Sequence, residues 1–242
     1  MNIETNHSLS VDCAIFGYDG EGLKVLLIEQ RQTEDYPILD KQLKLPGSMI
    51  FENETVPDAA ERVLVEKTGL DNINLKPIDI FSDPKRVSED ELEWVAKYHN
   101  INTNRVITVG YYALIAITPK ILKLTTHKRA TWHRYEDLPH LVMDHNAIIR
   151  HALLMVRTDL HYTSIAFDLL PKRFTIRALQ NLFSAIMGIK LDNRNFRKKI
   201  LGSEMIIATG TKERGVAHKP AEYFKFNISS YRKSEKQVLR YL

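Results

Sequence analysis

The 242-residue sequence predicts an α/β domain, a mixed sheet sandwiched by helices, followed by a small basic module of two short helices and a β-hairpin. Three observations predict it. Strand-period and helix-period segments alternate over the first two thirds of the chain. A helix, a basic amphipathic helix and a basic hairpin follow one another in the last third. Charge divides along the same line: residues 1–150 carry 17 Lys and Arg against 23 Asp and Glu, whereas residues 151–242 carry 17 against 7. The modest net charge of +4 therefore hides an acidic front and a back that favours a polyanion.

Composition narrows the function classes. No apolar run reaches the length needed to span a bilayer, so no membrane role is expected. The opening MNIETNHSLSVD has neither a basic leader nor a long apolar stretch, which makes a cytoplasmic protein the expectation. Cys13 is the single cysteine and lies in an apolar run, where a buried small hydrophobe is expected rather than a nucleophile.

Along the chain, 11–18 and 23–29 read as strands joined by Asp19, Gly20, Glu21 and Gly22, which is hairpin turn chemistry. After LPGS at 45–48, Val56, Ala59, Ala60, Val63 and Leu64 recur at helical spacing up to Gly69. Ser88 and Glu91 have capping-box spacing ahead of Leu92, Val95 and Ala96, which predicts an extra helix over 88–100. Residues 105–117 are rich in β-branched and aromatic side chains and read as a long strand, and 144–158 as a helix. The expected organisation is a first domain over 1–158, a connector over 159–173 and a second domain over 174–242.

In the second domain Phe174, Thr175 and Leu179 fit a hydrophobic staple, Leu182, Phe183 and Ile186 continue the apolar stripe, and Gly188 stops the helix. The next helix starts near Asp192. Phe196 and Ile200 share one face of it, and Arg194, Arg197 and Lys198 spread over the opposite arc. Strands at 205–209 and 222–227 then flank a basic loop that carries His218. These are the parts of a winged helix-turn-helix, whose second helix enters the major groove of DNA. The residues expected at double-stranded operator DNA are Arg194, Asn195, Arg197, Lys198 and Lys199 on the helix and Lys212, Arg214 and Lys219 on the wing. A homodimer reading two half-sites is expected, since one winged unit binds weakly. A protein–protein adaptor is the competing reading.

Residues 47–70, GSMIFENETVPDAAERVLVEKTGL, resemble the Nudix box, aligned on Glu54, Arg62, Leu64, Glu66, Gly69 and Leu70. Three positions depart from it: the box glycine falls on Ser48, one glutamate is Val63 and another is Lys67. In that family the helix glutamates chelate Mg²⁺ or Mn²⁺ for attack of water on a pyrophosphate linkage. Positions 63, 66 and 67 point toward one side of a helix, so the carboxylate cluster becomes Val, Glu and Lys. A lysine ammonium a few Å from a cation repels it by roughly 4 kcal/mol at an effective dielectric of 20. No catalytic residue, metal or cofactor is therefore expected. An active hydrolase of nucleoside diphosphate derivatives, using Glu52, Glu54 or Glu61, is the alternative.

A Nudix-like domain joined to a basic winged helix resembles the Nudix-related transcriptional regulators, the NrtR family, closest to its sugar-responsive, arabinose-regulator branch. DLPHLVMDH at 137–145, FDLLPKRFTIRALQNLF, RNFRKK and the wing residues Arg214, Gly215, Pro220, Ala221, Tyr223 and Phe224 carry this resemblance. It implies an operator-binding homodimer gated by an effector in the old substrate cleft, either a sugar such as L-arabinose or an ADP-ribose-like metabolite. Arg31, Lys44, Glu66, Arg105, Tyr111, Tyr112 and Trp132 are the candidate effector residues. Asp144 and His145 are read either as effector ligands or as a satisfied polar pair at an interdomain or dimer seam.

Overall fold

The structure, a computed structural model, describes residues 5–29, 42–162, 168–217 and 219–227. It divides into two compact units: one takes residues up to Gly17 with Lys24–Met155, the other Tyr18–Leu23 with residues from Val156 onward.

The first unit is built on strand β1 (Thr5–Tyr18), which is buried at every residue from Ser10 to Tyr18. Val11, Cys13 and Ile15 point into one apolar cluster, and Asp12, Ala14 and Phe16 point to the other face. Burial on both faces marks a central strand. Around it lie β2 (Leu23–Glu29), β3 (Leu43–Lys44), β4 (Gly47–Phe51), β5 (Lys76–Phe81), β6 (Ile107–Ala116) and β7 (Ala130–Arg134). The sheet runs β3-β2-β1-β6-β5, with β4 also paired to β1 and β7 to β2. Strand β1 starts six residues before its expected position because Thr5 and Ser10 pair with Phe51 and Met49 on β4.

Helix α1 (Val56–Thr68) packs Ala59, Ala60, Val63 and Leu64 onto the first face. Its start is a capping box: Thr55 Oγ1 accepts from the Asp58 N–H and the Asp58 side chain accepts from the Thr55 N–H. Gly69, at φ 73°, closes its end in a left-handed conformation that only glycine adopts without strain. Helix α2 (Glu89–His99) is the extra helix, capped by Ser88 and Glu91 as expected. Its Trp94 and Val95 pack with Met49, Val87 and Val106 in a second cluster. Met49 neighbours Ile50, which belongs to the α1 cluster, so α2 covers the opposite face of the sheet.

Helix α3 (Pro119–His127) and β7 complete the sandwich; neither they nor β5 were among the expected elements. A single 3-10 turn at Tyr135–Asp137 leads to α4 (His145–Tyr162), a helix of 18 residues that runs past the expected end at 158. The division between units falls inside it. Residues 163–167 of the expected connector lie outside the described ones.

The second unit holds β8 (Phe174–Thr175), α5 (Ile176–Met187), α6 (Asn193–Gly202), β9 (Ile206–Lys212) and β10 (Glu222–Phe226). The staple residue Phe174 is also a strand residue: it pairs with Phe224 and its ring lies 4.5 Å from that of Phe226. The three strands form a sheet in the order β8-β10-β9. Strand β9 continues to Lys212, three residues beyond expectation, because Gly210 at φ 70° and a shifted register opposite Glu222 and Phe224 absorb a bulge.

Candidate functional site

The segment before α1 is held by one charge-assisted knot. Arg62 Nε donates to Glu54 Oε2 at 2.8 Å and Arg62 Nη2 to Glu54 Oε1 at 2.6 Å, while the Phe51 N–H donates to the same carboxylate at 2.8 Å. The Arg62 guanidinium lies 3.8 Å from the centre of the Phe51 ring and also donates to the Met49 carbonyl. Hydrogen bonds from Arg62 hold the Glu54 carboxyl below the usual carboxylate range despite partial burial. Glu54 is thus committed to folding the loop. Downstream, Glu66 is half exposed and ion-paired to Arg62 at 3.3 Å, Val63 is fully buried, and Lys67 is half-buried. The expected arc of 63, 66 and 67 is therefore split, with Val63 belonging to the core.

Lys44, on the short strand β3, lies against helix α2. Its ammonium lies 5.4 Å from the centre of the Trp94 ring. Trp94 stacks on Tyr98 at 4.8 Å and 13°, and His99 meets Tyr98 edge-on at 4.9 Å. Burial brings Lys44 down to about 8, with Asp12 pulling it up and Lys67 pushing it down. Burial, then the charges of Lys44 and Lys67, bring His99 down to about 4.

Beneath them is a buried polar network. His145, the first residue of α4, accepts the Leu45 N–H on Nδ1 at 3.1 Å and turns Nε2 toward Asp12 Oδ2 at 3.6 Å. Burial works to raise the Asp12 carboxyl, but the charges of His145, Arg86 and Lys44 and the hydrogen bond from His145 outweigh it and hold Asp12 low. Asp144 takes two hydrogen bonds from Arg86, at 2.9 and 2.6 Å, and Arg86 reaches Thr108 Oγ1, which in turn bonds Ser10 Oγ at 2.6 Å. Asp144 and His145 are therefore a satisfied polar pair, and their partners lie within the first unit.

In the second unit α5 and α6 are joined by a turn in which Gly188, at φ 69°, donates to the Ser184 carbonyl. Gln180, almost fully buried, fixes the turn by donating to the Leu191 carbonyl and to Asn193 Oδ1 at 2.8 and 2.7 Å. Helix α6 is capped by Asp192 and buries Phe196 and Ile200. Arg194, Asn195, Arg197, Lys198 and Lys199 are all exposed. On the hairpin Lys212, Arg214 and Lys219 are exposed too; His218 lies outside the described residues. The loop between β9 and β10 is closed by the Glu213 N–H on the Ala221 carbonyl and the Ala221 N–H on the Glu213 carboxylate.

Residues 6–153 match the family described as the NUDIX domain. The chain belongs to the Nudix family. Residues 166–226 match a second family, the NrtR DNA-binding winged helix domain. A relative from Acinetobacter baylyi, described as an ADPR responsive transcriptional repressor NtrR, is 27% identical over 237 residues, covering 96% of this chain and 87% of its own. Two solved structures share the fold of the Nudix and winged-helix units together. Shewanella oneidensis NrtR complexed with a 27mer DNA has a TM-score of 0.66 at 22% identity, with 93% of this chain and 95% of that one covered. A MutT/nudix family protein from Enterococcus faecalis has a TM-score of 0.61 at 22% identity, covering 93% and 88%.

Nudix chemistry implies a divalent cation on the carboxylates of α1, and the residues present do not fit one. Val63 is in the core, Lys67 is cationic, Glu54 is locked to Arg62, and Glu66 is left without a second carboxylate beside it on the helix. Among the described residues no group of three or more His, Cys, Asp or Glu is placed to hold a metal ion. Ser48, at the box glycine position, sits in β4 opposite Val11.

The expected effector residues are not brought together. Lys44 is in the cluster described above. Arg31 lies outside the described residues. Tyr112 is buried within β6, and Tyr111 belongs to the α1 core. Trp132 packs against that same core and donates Nε1 to Thr125 Oγ1, and exposed Arg105 reaches the Ser82 carbonyl at 2.7 Å. Sequence reasoning missed His99, Trp94, Asp12 and Gln180; the capping box of α2 was a readable signal for the first two.

Proposed function

We propose that this chain is a transcriptional repressor that holds operator DNA through its winged helix, as a cytoplasmic homodimer, and answers to an ADP-ribose-like nucleotide bound by its Nudix domain without hydrolysing it. The observation that carries the reading is α6: five consecutive-turn polar and basic residues, Arg194 to Lys199 without Phe196, stand exposed while Phe196 and Ile200 anchor the helix. That division of faces suits phosphate and base-edge contacts. The winged-helix family match and the repressor description of the Acinetobacter relative support it.

The effector class follows from the described relative. The Acinetobacter relative is described as ADPR responsive, and the sugar-responsive branch finds no support among the relatives compared. The test is selection of bound duplexes from a random-sequence library, followed by titration of the selected duplex with and without ADP-ribose. Enrichment of a palindrome whose affinity changes with ADP-ribose is expected. No enrichment, or Mg²⁺-dependent turnover of ADP-ribose, overturns the reading.

A further inference from the structure

The turn between α5 and α6 fixes one amide in a single orientation. The Leu191 carbonyl can only accept, so Gln180 must turn its side-chain nitrogen toward it, and Nε2 donates there at 2.8 Å. The second hydrogen of Nε2 goes to Asn193 at 2.7 Å, and only the amide oxygen can receive it. Asn193 therefore turns Oδ1 toward Gln180 and leaves Nδ2 on the other side. Gln180 is 7% exposed and belongs to α5, whereas Asn193 is exposed and is the first residue of α6. Among the described residues nothing accepts from Asn193 Nδ2. An amide whose oxygen already accepts is polarised into a better donor.

We propose that Asn193 is a further DNA-contacting residue, held by Gln180 as a donor alone, and that it meets a hydrogen-bond acceptor of the operator. The assignment rests on the functional reading above for its partner. The acceptor is a phosphate oxygen or the N7, O6 or O4 edge of a base. Bidentate readout of adenine takes the oxygen and nitrogen of one amide together, and Asn193 has already spent its oxygen. Asn195 differs. Among the described residues only its backbone N–H is engaged, by Asp192 Oδ1, so both ends of its side-chain amide stay open. Position agrees with the assignment: Asn193 stands one turn before Arg197, at the border between the side anchored by Phe196 and Ile200 and the basic arc. The first turn of a recognition helix is the part that reaches base edges and nearby phosphates. Gln180, buried on the other helix, is the positioning residue of this contact.

The test is fluorescence anisotropy of the full-length protein with the selected operator duplex and with duplexes changed at one base pair at a time. Asn193→Ala, whose fold is checked by its melting temperature, should bind the selected duplex about tenfold more weakly, the size of one lost hydrogen bond. Asn193→Asp keeps an oxygen for Gln180 and replaces the donor with an acceptor, so it should bind no better than Asn193→Ala while the turn stays intact. Gln180→Met should weaken binding and add little when combined with Asn193→Ala, because it acts through that residue, whereas two unrelated structural defects would add. The exposed control Lys123→Ala should change nothing. A loss shared by every duplex places the acceptor on a phosphate, and a loss that disappears with one base-pair change places it on that base. Either Asn193 variant binding within about twofold of the parent overturns the contact. Additive losses in the double variant overturn the positioning role of Gln180. A parent that binds no duplex removes the DNA-binding reading and this contact together, whereas a parent that binds and tolerates both Asn193 variants removes the contact alone.

Discussion

Asp12 on β1 faces Gly47 on β4 across the ladder, and a β-carbon at position 47 would stand 1.8 Å from Asp12 Oδ1. The glycine of the LPG turn is therefore required by a buried carboxylate, which in turn is required by His145 and Lys44. Gly47→Ala should cost about 3 kcal/mol, as overpacking of a buried site does. Urea unfolding monitored by circular dichroism measures it, and Gly22→Ala, where nothing lies within 4 Å, serves as the control expected to change little.

Arg86 and Asp144 form a second buried pair, with the Arg86 side chain 2% exposed. Removing the acid alone leaves a guanidinium without its bidentate partner. Asp144→Ala should lose roughly 3–5 kcal/mol, and Arg86→Met combined with Asp144→Leu should recover most of it. Recovery in the double variant separates the penalty of an orphaned charge from the loss of packing.

Glu54 gives the acid limb of stability. Its folded carboxyl is held below the ordinary range by Arg62, so its contribution is full above the unfolded value and is lost as pH falls through the folded one. Unfolding free energy measured from pH 7 down to pH 3 should fall, and Glu54→Gln should flatten that fall while lowering stability at pH 7 by about 2 kcal/mol. An unchanged acid limb in the variant counts against the assignment.

On DNA, Arg197→Ala and Lys198→Ala should each weaken binding and each lower the slope of log affinity against log salt by about 1 if the side chain neutralises a phosphate. Fluorescence anisotropy at four salt concentrations measures both quantities. A variant that loses affinity for one sequence only, with the slope intact, assigns that residue to base readout instead.

Local signals were read well. The caps of α2, α5 and α6 at Ser88, Thr175 and Asp192 lie where the residue types put them, because a cap is a contact between neighbours in sequence. The Nudix spacing located α1, and the basic face of α6 was visible from its period alone. What the residues did not disclose were meetings across long separations. Leu45 to His145 spans 100 residues and Ser10 to Thr108 spans 98, and nothing in the local pattern of either segment names the other. The same limit applies to the partners of Trp132 and Tyr112: that Trp132 Nε1 donates to Thr125 Oγ1 and that Tyr112 is buried within β6 could not be read from their chemistry. Helix α3 was missed although Thr118 and Pro119 announce its start, since the apolar run of β6 ahead of it drew the strand reading forward.

Val63 decides what a carboxylate introduced at this point of α1 would meet. It is wholly enclosed, in the same cluster as Val11, Ile15, Leu64 and Tyr111, so an acid written back at that codon arrives inside hydrocarbon rather than beside a ligand. Seating a charge there asks for a new floor under the helix as well as a new side chain.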